Sequence, residues 1–434
     1  MKAATKKNNR GMARFPAQLW DQMQFFFQEY NDHQLHAVIY FRGLIDRERI
    51  RKAVLLSMEA MPLLASRFVL DRKGPYWEKM ESYRDVDVIS FVDSVDPGEE
   101  IDRFVTNKTN ELTGPQLMVR LVTANNKDAL CIVMNHMVCD GAAFKEYLYL
   151  LASLYGEPES DGNILRYRNG SRDFRQIYRH MNLLDRVRAF FLPGGYRNHI
   201  CFPLSGDQSG SVPFILKRIL SQERFRALRS YAKKLGATVN DVVFAGYYRA
   251  LHRTLSLGEG ESITIPCMVD LRRYLPGGKA DGLCNLTSSI ACNIGADIGS
   301  NLGETVALVS AEMKRRKERY PGLAGLSTLH VLFGLLAFSK LRARMKTSFP
   351  NPLIGITNIG VIDSERLVFG DVPVNDAFVT GSIKYKPYFQ LAFTTFNETI
   401  TLTIAQYGSE KDRETIGRFL NALDKELTGA VLPG

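Results

Sequence analysis

The chain has 434 residues, 45% of them hydrophobic, and a formal net charge of +10 at pH 7. It is long enough to bury a large core and to form two domain-sized units. Its six cysteines form no C-x-x-C pair and its seven histidines are scattered, so no metal site is expected and a reducing compartment is favoured. No aromatic and basic RNA-binding pattern accompanies the positive charge, so nucleic acid is not expected as a partner.

The first part of the chain predicts a basic tail followed by mixed helices and strands. Residues 1–14 carry five basic side chains and no acid, which predicts a disordered tail. The tail lacks an apolar signal-peptide core, so a cytoplasmic protein is expected. Helices are predicted at 17–30, 46–60 and 96–111, and strands within 36–44, 67–80, 86–92, 115–123 and 129–134. This mixture predicts an α/β class, arranged as an α+β sandwich.

A polar motif follows the last of these strands. It reads His136-x-x-x-Asp140-Gly141, and an amphipathic helix is predicted directly after it, at 142–155. A histidine at a strand end can direct its imidazole into a cleft, and a carboxylate four residues later can brace the turn. On spacing alone, a single histidine beside an apolar strand is more often a packed core residue.

A connection rich in glycine and proline divides the chain. Residues 193–210 contain six glycines or prolines, which predicts a linker between an N-terminal lobe, 15–192, and a C-terminal lobe, 211–434. Just before this linker, the sequence of residues 173–191 predicts a basic amphipathic helix. Its charged face is either solvated or in contact with a carrier protein or lipid. In the second lobe the sequence predicts strands at 212–220, 263–269, 283–294 and 352–360. It predicts helices from 221 and at 238–255, 301–320 and 410–427. Three further strands, at 378–384, 388–396 and 400–407, are predicted to form a meander.

One stretch of the second lobe has no charged side chain. Residues 320–339 are uncharged and are flanked on both sides by basic residues. Their length approaches that of a membrane span, but glycine and polar residues dilute their hydrophobicity. Three alternatives remain at this point: a helix packed between lobes, a helix lying on a membrane surface, or a span. The second alternative would give peripheral membrane contact through 320–346.

Four segments in order resemble one known family. They are the His136 motif, the helix start Thr238-Val239-Asn240-Asp241-Val242, the segment Val269-Asp270-Leu271-Arg272, and the strand Thr357-Asn358-Ile359-Gly360. The chain resembles the CoA-dependent acyltransferase superfamily, which includes chloramphenicol acetyltransferases, condensation domains, wax ester synthases and alcohol acetyltransferases. The family motif often begins with two histidines, whereas the first position here is Asn135. Only the second histidine is catalytic in the family, so this departure leaves His136 in place.

The resemblance implies a fold and a set of roles. The fold would be two chloramphenicol acetyltransferase-like lobes with a channel between them, and His136 would be the catalytic general base at its centre. Asp140 and Gly141 would form a structural brace of the motif. Arg272, with Arg273 as the second choice, would pair with Asp140 through two charge-assisted hydrogen bonds and join the two halves.

The strand near residue 357 supplies the remaining candidates. Thr357 and its neighbour Asn358 would line the channel, and Thr357 would donate a hydrogen bond to the oxyanion. The alternative is that Thr357 is an ordinary β-branched strand residue with no further role.

The implied activity is acyl transfer from a thioester to a hydroxyl or amine acceptor. The donor would be acyl-CoA, or a phosphopantetheine thioester on a carrier protein, and no cofactor would be permanently bound. The basic surface suits either donor. The enzyme would be an O- or N-acyltransferase of the alcohol acetyltransferase, wax ester synthase or condensation type. A stand-alone condensation-like domain and a non-catalytic relative that binds a partner or lipid remain the alternatives.

Overall fold

The structure is a computed structural model, and it describes residues 6–7, 13–83, 87–157, 164, 166, 170–192, 199–318, 320–348 and 352–429. These residues form three β-sheets and eleven α-helices. The predicted mixed α/β class is therefore confirmed.

A five-stranded sheet forms the centre of the N-terminal half. Its strands follow the order β13-β3-β8-β7-β6, and they are β3 (Gln34–Phe41), β6 (Ile89–Asp93), β7 (Leu117–Ala124), β8 (Lys127–Asn135) and β13 (Val374–Thr380). Alternate residues of a strand point to opposite faces. Leu35, Ala37 and Ile39 enter the large core with helices α2 (Arg47–Ala60) and α4 (Gly141–Gly156), whereas Val38 on the other face packs near α3 (Pro97–Val105).

A six-stranded sheet forms the centre of the C-terminal half. Its order is β11-β10-β12-β14-β15-β9, from β9 (Val212–Leu220), β10 (Ile265–Asp270), β11 (Thr287–Cys292), β12 (Ile354–Ile362), β14 (Phe389–Phe396) and β15 (Thr399–Gly408). A second core joins it to helices α6 (Gln222–Lys234), α7 (Val239–Thr254), α8 (Leu302–Lys317) and α11 (Glu410–Gly429). The remaining helices are α1 (Leu19–Phe26), α5 (Leu183–Phe190), α9 (Leu326–Leu335) and α10 (Phe338–Ser348).

The predicted disordered tail differs from the structure in part. Strand β1 (Lys6–Lys7) pairs with β2 (Ala13–Pro16), and β2 continues into a small sheet with β5 (Tyr76–Lys79) and β4 (Ser66–Val69). Arg14 fixes this end because its guanidinium donates to the Glu78 carboxylate at 3.0 and 2.9 Å. The rest of the predicted tail, 1–5 and 8–12, lies outside the described residues.

The predicted three-strand meander is wrong in its first strand. β14 and β15 form the expected hairpin, and its turn residues Asn397 and Glu398 have φ of 44° and 59°, as a tight hairpin turn requires. Strand β13, however, pairs with β3 of the other half, with Phe378 opposite Val38. The division at 193–210 stays a prediction, and 193–198 lie outside the described residues. A strand from the second half nevertheless completes the sheet of the first.

Two predicted long helices are broken in the structure. Residues 174–178 form a 3₁₀ turn and α5 begins only after Asn182, whose side chain accepts from Asp185 N at 2.8 Å. The uncharged stretch forms the ten-residue α9 and the start of α10, and Phe333 and Phe338 pack on Phe26 with ring centroids 6.1 and 5.0 Å apart. Among the described helices none has the length and apolar content needed to cross a membrane. Membrane contact through 320–346 stays a prediction.

Candidate active site

The His136 motif forms a tight loop between β8 and α4. Asp140 is the N-cap of α4, and its Oδ1 accepts from Ala143 N at 2.9 Å, as aspartate commonly does at a helix start. Gly141 is the first helical residue, and a Cβ at this position would lie 3.2 Å from Ile359 of β12. The main-chain N–H of His136 donates to His33 O at 2.8 Å. The loop is therefore held from both halves of the chain.

Arg272 reaches Asp140 across the two halves. Its Nη1 donates to Asp140 Oδ2 at 3.0 Å and to Asp270 Oδ1 at 3.0 Å, while its Nη2 donates to Cys284 O at 2.8 Å. Asp140 Oδ2 also accepts from Leu286 N at 2.6 Å. The predicted pair of hydrogen bonds between Arg272 and Asp140 is thus a single bond, because the second amino group is occupied by a carbonyl. We call the Asp140 and Arg272 pair the Asp140 brace.

The Asp140 brace is enclosed and its charges are satisfied. Asp140 is 2% exposed and Arg272 is 6% exposed. Burial alone would raise the pKa of the Asp140 carboxyl, but the Arg272 guanidinium and the N–H groups of Ala143 and Leu286 outweigh it and hold that pKa below its ordinary value. Arg273, the second choice from the sequence, is exposed and lies over the ring of Tyr274. Arg272 is therefore the residue brought to Asp140.

His136 lies at the seam between the two halves. Asn285 of the second half donates from Nδ2 to His136 O at 2.9 Å and to Met137 O at 3.2 Å. The ring is partly buried, and its Nδ1 has no hydrogen-bond partner among the described residues. Burial is the main cause that lowers the pKa of His136, and the charge of Lys384 lowers it further, while Asp140 acts in the opposite direction. The imidazole is therefore neutral near pH 7, as a general base must be.

The two candidates on β12 are not linked to His136 by any hydrogen bond among the described residues. Thr357 is partly buried, and Asn358 is exposed. Asn358 donates to Asn240 at 3.2 Å and accepts from Gly360 N at 2.8 Å. The strand itself is close to the motif helix, because Lys145 Nζ donates to Val361 O at 2.9 Å. The oxyanion role of Thr357 and the channel role of Asn358 stay predictions.

The helix start at Thr238 has the geometry of a capping box. Thr238 accepts from Asp241 N at 3.2 Å, and the Asp241 carboxylate accepts from Thr238 N at 2.9 Å. This segment, one of the four that carry the family resemblance, is therefore a satisfied helix N-terminus.

Arg172 is a contact of the motif that the sequence did not suggest. Its Nη1 donates to Val138 O and, at 2.8 Å, to Leu283 O, while its Nη2 donates to Met137 O at 3.2 Å and to Asp21 at 2.7 Å. It thus ties the motif loop to both the first helix and the second half. No motif surrounds it in the sequence, and neither it nor Asn285 carries a local pattern that marks a contact with the loop.

The two larger sheets with their helices form a two-lobed α/β fold, and the His136 motif lies where the two lobes meet. The fold expected from the resemblance is confirmed by similarity to solved structures. Trichothecene 15-O-acetyltransferase from Fusarium sporotrichioides has a TM-score of 0.70 at 13% identity, with 98% of this chain and 97% of that chain covered. No protein-family description and no curated protein sequence match the chain.

Two further structures extend the likeness to peptide synthetases. The epimerization domain from the third module of tyrocidine synthetase B has a TM-score of 0.66 at 13% identity, with 99% and 98% of the two chains covered. The first condensation domain of the CDA synthetase has a TM-score of 0.64 at 18% identity, with 98% of both chains covered. At these identities the likeness establishes the fold, which acyltransferases and condensation domains share.

Proposed function

We propose that the protein is an acyltransferase that moves an acyl group from a thioester, acyl-CoA in the first instance, to a hydroxyl or amine acceptor. The observation that carries this proposal is the placement of His136. Its loop is fixed by the Asp140 brace and by Asn285, and burial favours the neutral form of its ring at the seam between the two halves. The shared fold with an O-acetyltransferase and with condensation domains supports the same reaction type.

The proposed chemistry needs one proton acceptor and no covalent enzyme intermediate. As the acceptor oxygen or nitrogen attacks the thioester carbonyl carbon, His136 takes the proton that this atom loses. Because Nδ1 is enclosed, Nε2 is the nitrogen left for this step. The carbon–sulfur bond then breaks, and the leaving sulfur takes the proton back as a free thiol. General-base catalysis of this kind contributes about 10²- to 10⁴-fold in rate.

The test is thiol release from a panel of acyl-CoAs with pooled alcohols and amines. We expect release that needs an acceptor, and a drop of about 10²- to 10⁴-fold in His136→Ala. The matched control is His252→Ala, because His252 is exposed on α7 and the same substitution there removes an imidazole without touching the seam. Circular dichroism and urea unfolding check that both variants fold.

The alternatives give different results in this assay. Release only when the acyl group is presented on a phosphopantetheine-bearing carrier protein would favour the condensation-like reaction. Equal release by wild type and His136→Ala would remove the general-base role, and no release from any thioester would favour a non-catalytic relative. Co-purification with a carrier protein would further favour the condensation-like reaction over transfer from acyl-CoA.

A further inference from the structure

A second group of polar residues, all buried except the half-buried Lys384, lies on the other side of the His136 loop. Asp32 precedes β3, and His36 lies within it on the face that looks toward the second half, because it shares that face with Val38. Lys384 comes from the segment after β13 and forms isolated β-bridges with Asn31 and Gln406. Asp32 is tied to the same segment, since its Oδ1 accepts from Ile383 N at 2.9 Å.

We call Asp32, His36, Lys384 and Gln406 the Lys384 cluster. It joins parts of the chain that are far apart in sequence. His36 lies opposite Thr380 in the pairing of β3 with β13, and Ser382 Oγ donates to Gln34 O at 2.8 Å. The main-chain link from His33 O to His136 N places the cluster next to the motif loop.

The polar atoms of this seam are unusually short of partners. Eleven buried side-chain nitrogen and oxygen atoms lack a hydrogen-bond partner in the described part of the chain. Seven of the eleven belong to the seam: Asp32 Oδ2, His33 Nδ1, His36 Nδ1 and Nε2, His136 Nδ1, Asn285 Oδ1 and Gln406 Oε1. Buried polar atoms in folded proteins are almost always satisfied, by protein, water or a ligand. Their concentration in one place therefore indicates a group of polar atoms that a ligand or bound water would satisfy.

The individual geometries support this interpretation. His36 is 0% exposed, and its Nε2 lies 3.5 Å from Asp32 Oδ2, which is too long for a good hydrogen bond. Gln406 uses its Nε2 to donate to Lys384 O at 2.9 Å, which leaves only its Oε1 free. The Lys384 ammonium donates to no group among the described residues, although its charge acts on His136. Burial lowers the pKa of Lys384 to about 8, with the Asp32 charge opposing.

The cluster therefore offers one cationic donor group and two unpaired oxygen acceptors. The donor is the Lys384 ammonium, and the acceptors are Asp32 Oδ2 and Gln406 Oε1. A ligand that satisfies all of them carries one negative charge together with O–H or N–H groups. The cluster's own carboxylate, Asp32, has His36 Nε2 3.5 Å from its Oδ2, whereas Lys384 forms no ion pair among the described residues. The Lys384 ammonium can therefore engage a ligand carboxylate, and charge-assisted hydrogen bonds of this type are about twice as strong as neutral ones.

We propose that the Lys384 cluster binds the carboxylate of the acceptor substrate, so that the acceptor is a hydroxy acid or an amino acid. This inference rests on the proposed acyl transfer. Lys384 holds the carboxylate, and the acceptor's own hydroxyl or amine faces His136. Asp32 and Gln406 accept hydrogen bonds from the remaining donors of the ligand.

The experiment compares acceptors that differ only in the carboxylate. Small hydroxy acids and amino acids are assayed for thiol release beside their methyl esters, which keep the nucleophile and lose the charge. In the wild type we expect kcat/KM for the acids to exceed that for the esters by about 10- to 100-fold. Lys384→Met should bring the ratio of the two kcat/KM values close to one, mainly by raising KM for the acids, while Lys384→Arg should restore part of the preference. Lys425→Met, at an exposed lysine of α11, is the matched control.

Binding without the donor separates this inference from the proposed function. Calorimetry with the same acids and no thioester should detect binding to the wild type and to Lys425→Met, and at least tenfold weaker binding to Lys384→Met. If no thiol is released but this binding difference holds, the site stands and the acyl transfer does not. If thiol is released without preference for acids, or if Lys384→Met binds and transfers to acids as well as the wild type does, the carboxylate site is wrong.

Discussion

Asp140 and Asp32 are both buried carboxylates beside the His136 loop, 2% and 5% exposed, yet they are satisfied to very different degrees. Both Asp140 oxygens accept hydrogen bonds, Oδ1 from Ala143 and Oδ2 from Arg272 and Leu286. Asp32 Oδ1 is bonded to main-chain N–H groups, but its Oδ2 has no hydrogen-bond partner among the described residues. The same difference holds for the two cations, because Arg272 donates hydrogen bonds to Asp140, Asp270 and Cys284, whereas the Lys384 ammonium donates none among the described residues.

This difference separates a group that holds the structure from a group that is available to a ligand. A buried ion pair with complete hydrogen bonding resists the removal of either partner, because the other is then left charged and unsolvated. A buried group without a partner costs free energy in the folded state, and such groups are typically found where binding or catalysis needs them. The Asp140 brace thus fixes the loop, and the Lys384 cluster is left free on its other side.

The largest expected effect is on the Asp140 brace. Asp140→Ala should lower the free energy of unfolding by about 3–5 kcal/mol, because Arg272 is left buried without its partner. Urea denaturation measures the loss. Asp46→Ala is the matched control, since Asp46 caps α2 in the same way, accepting from Arg49 N at 2.8 Å, but is exposed, and should cost only about 1 kcal/mol. Equal losses in the two variants would reduce Asp140 to an ordinary helix cap.

The Asp140 brace was accessible to sequence reasoning because both of its residues lie in recognisable segments. The pairing of Arg272 rather than Arg273 with Asp140 was also anticipated. What the sequence could not supply was the number of bonds between them, because that depends on Cys284 O lying where it takes the second amino group. The strands near the motif were predictable from apolar runs, and most boundaries fell within a few residues of those in the structure.

The Lys384 cluster was not accessible in the same way. His36 is one polar residue in an apolar strand, and Lys384 is the last residue of the predicted strand 378–384, with no motif around it. Their approach depends on β13 pairing with β3, whereas the meander prediction assigned β13 to the other sheet. A local pattern indicates a strand but not its partner. An error in one strand partner therefore concealed a whole group of site residues.

The next effect is on acceptor binding and its dependence on pH. Because the pKa of Lys384 is lowered to about 8, its ammonium is charged below that pH and lost above it. KM for carboxylate acceptors should be flat below about pH 7.5 and then rise roughly tenfold per pH unit above the pKa. Methyl ester acceptors provide the control and should show no such rise. A KM for acids that stays constant to pH 9.5 would exclude Lys384 as the group that holds the carboxylate.

A smaller effect is expected on His136 itself. The positive charge of Lys384 disfavours the imidazolium form, so its removal in Lys384→Met should raise the pKa of His136. NMR titration of the imidazole measures this without any substrate, and the acid limb of kcat/KM should move upward by the same amount. Lys425→Met should leave both unchanged. An unaltered titration in Lys384→Met would mean that its charge does not reach the base.

The smallest expected effect is the change in the free energy of unfolding when Lys384 is replaced, and it is compared with the replacement of Arg272. Arg272→Met should destabilise the fold by several kcal/mol, because it leaves Asp140 buried and charged. Lys384→Met should change the free energy of unfolding by about 1 kcal/mol or less, and in the favourable direction, because it removes the ammonium of a half-buried lysine that makes no hydrogen bond with the described residues. Both values come from the same urea series at pH 7. If Lys384→Met were as damaging as Arg272→Met, Lys384 would be half of a second structural ion pair with Asp32. The two sides of the His136 loop would then be built alike, and the unpaired atoms around Lys384 would indicate bound water in place of a substrate.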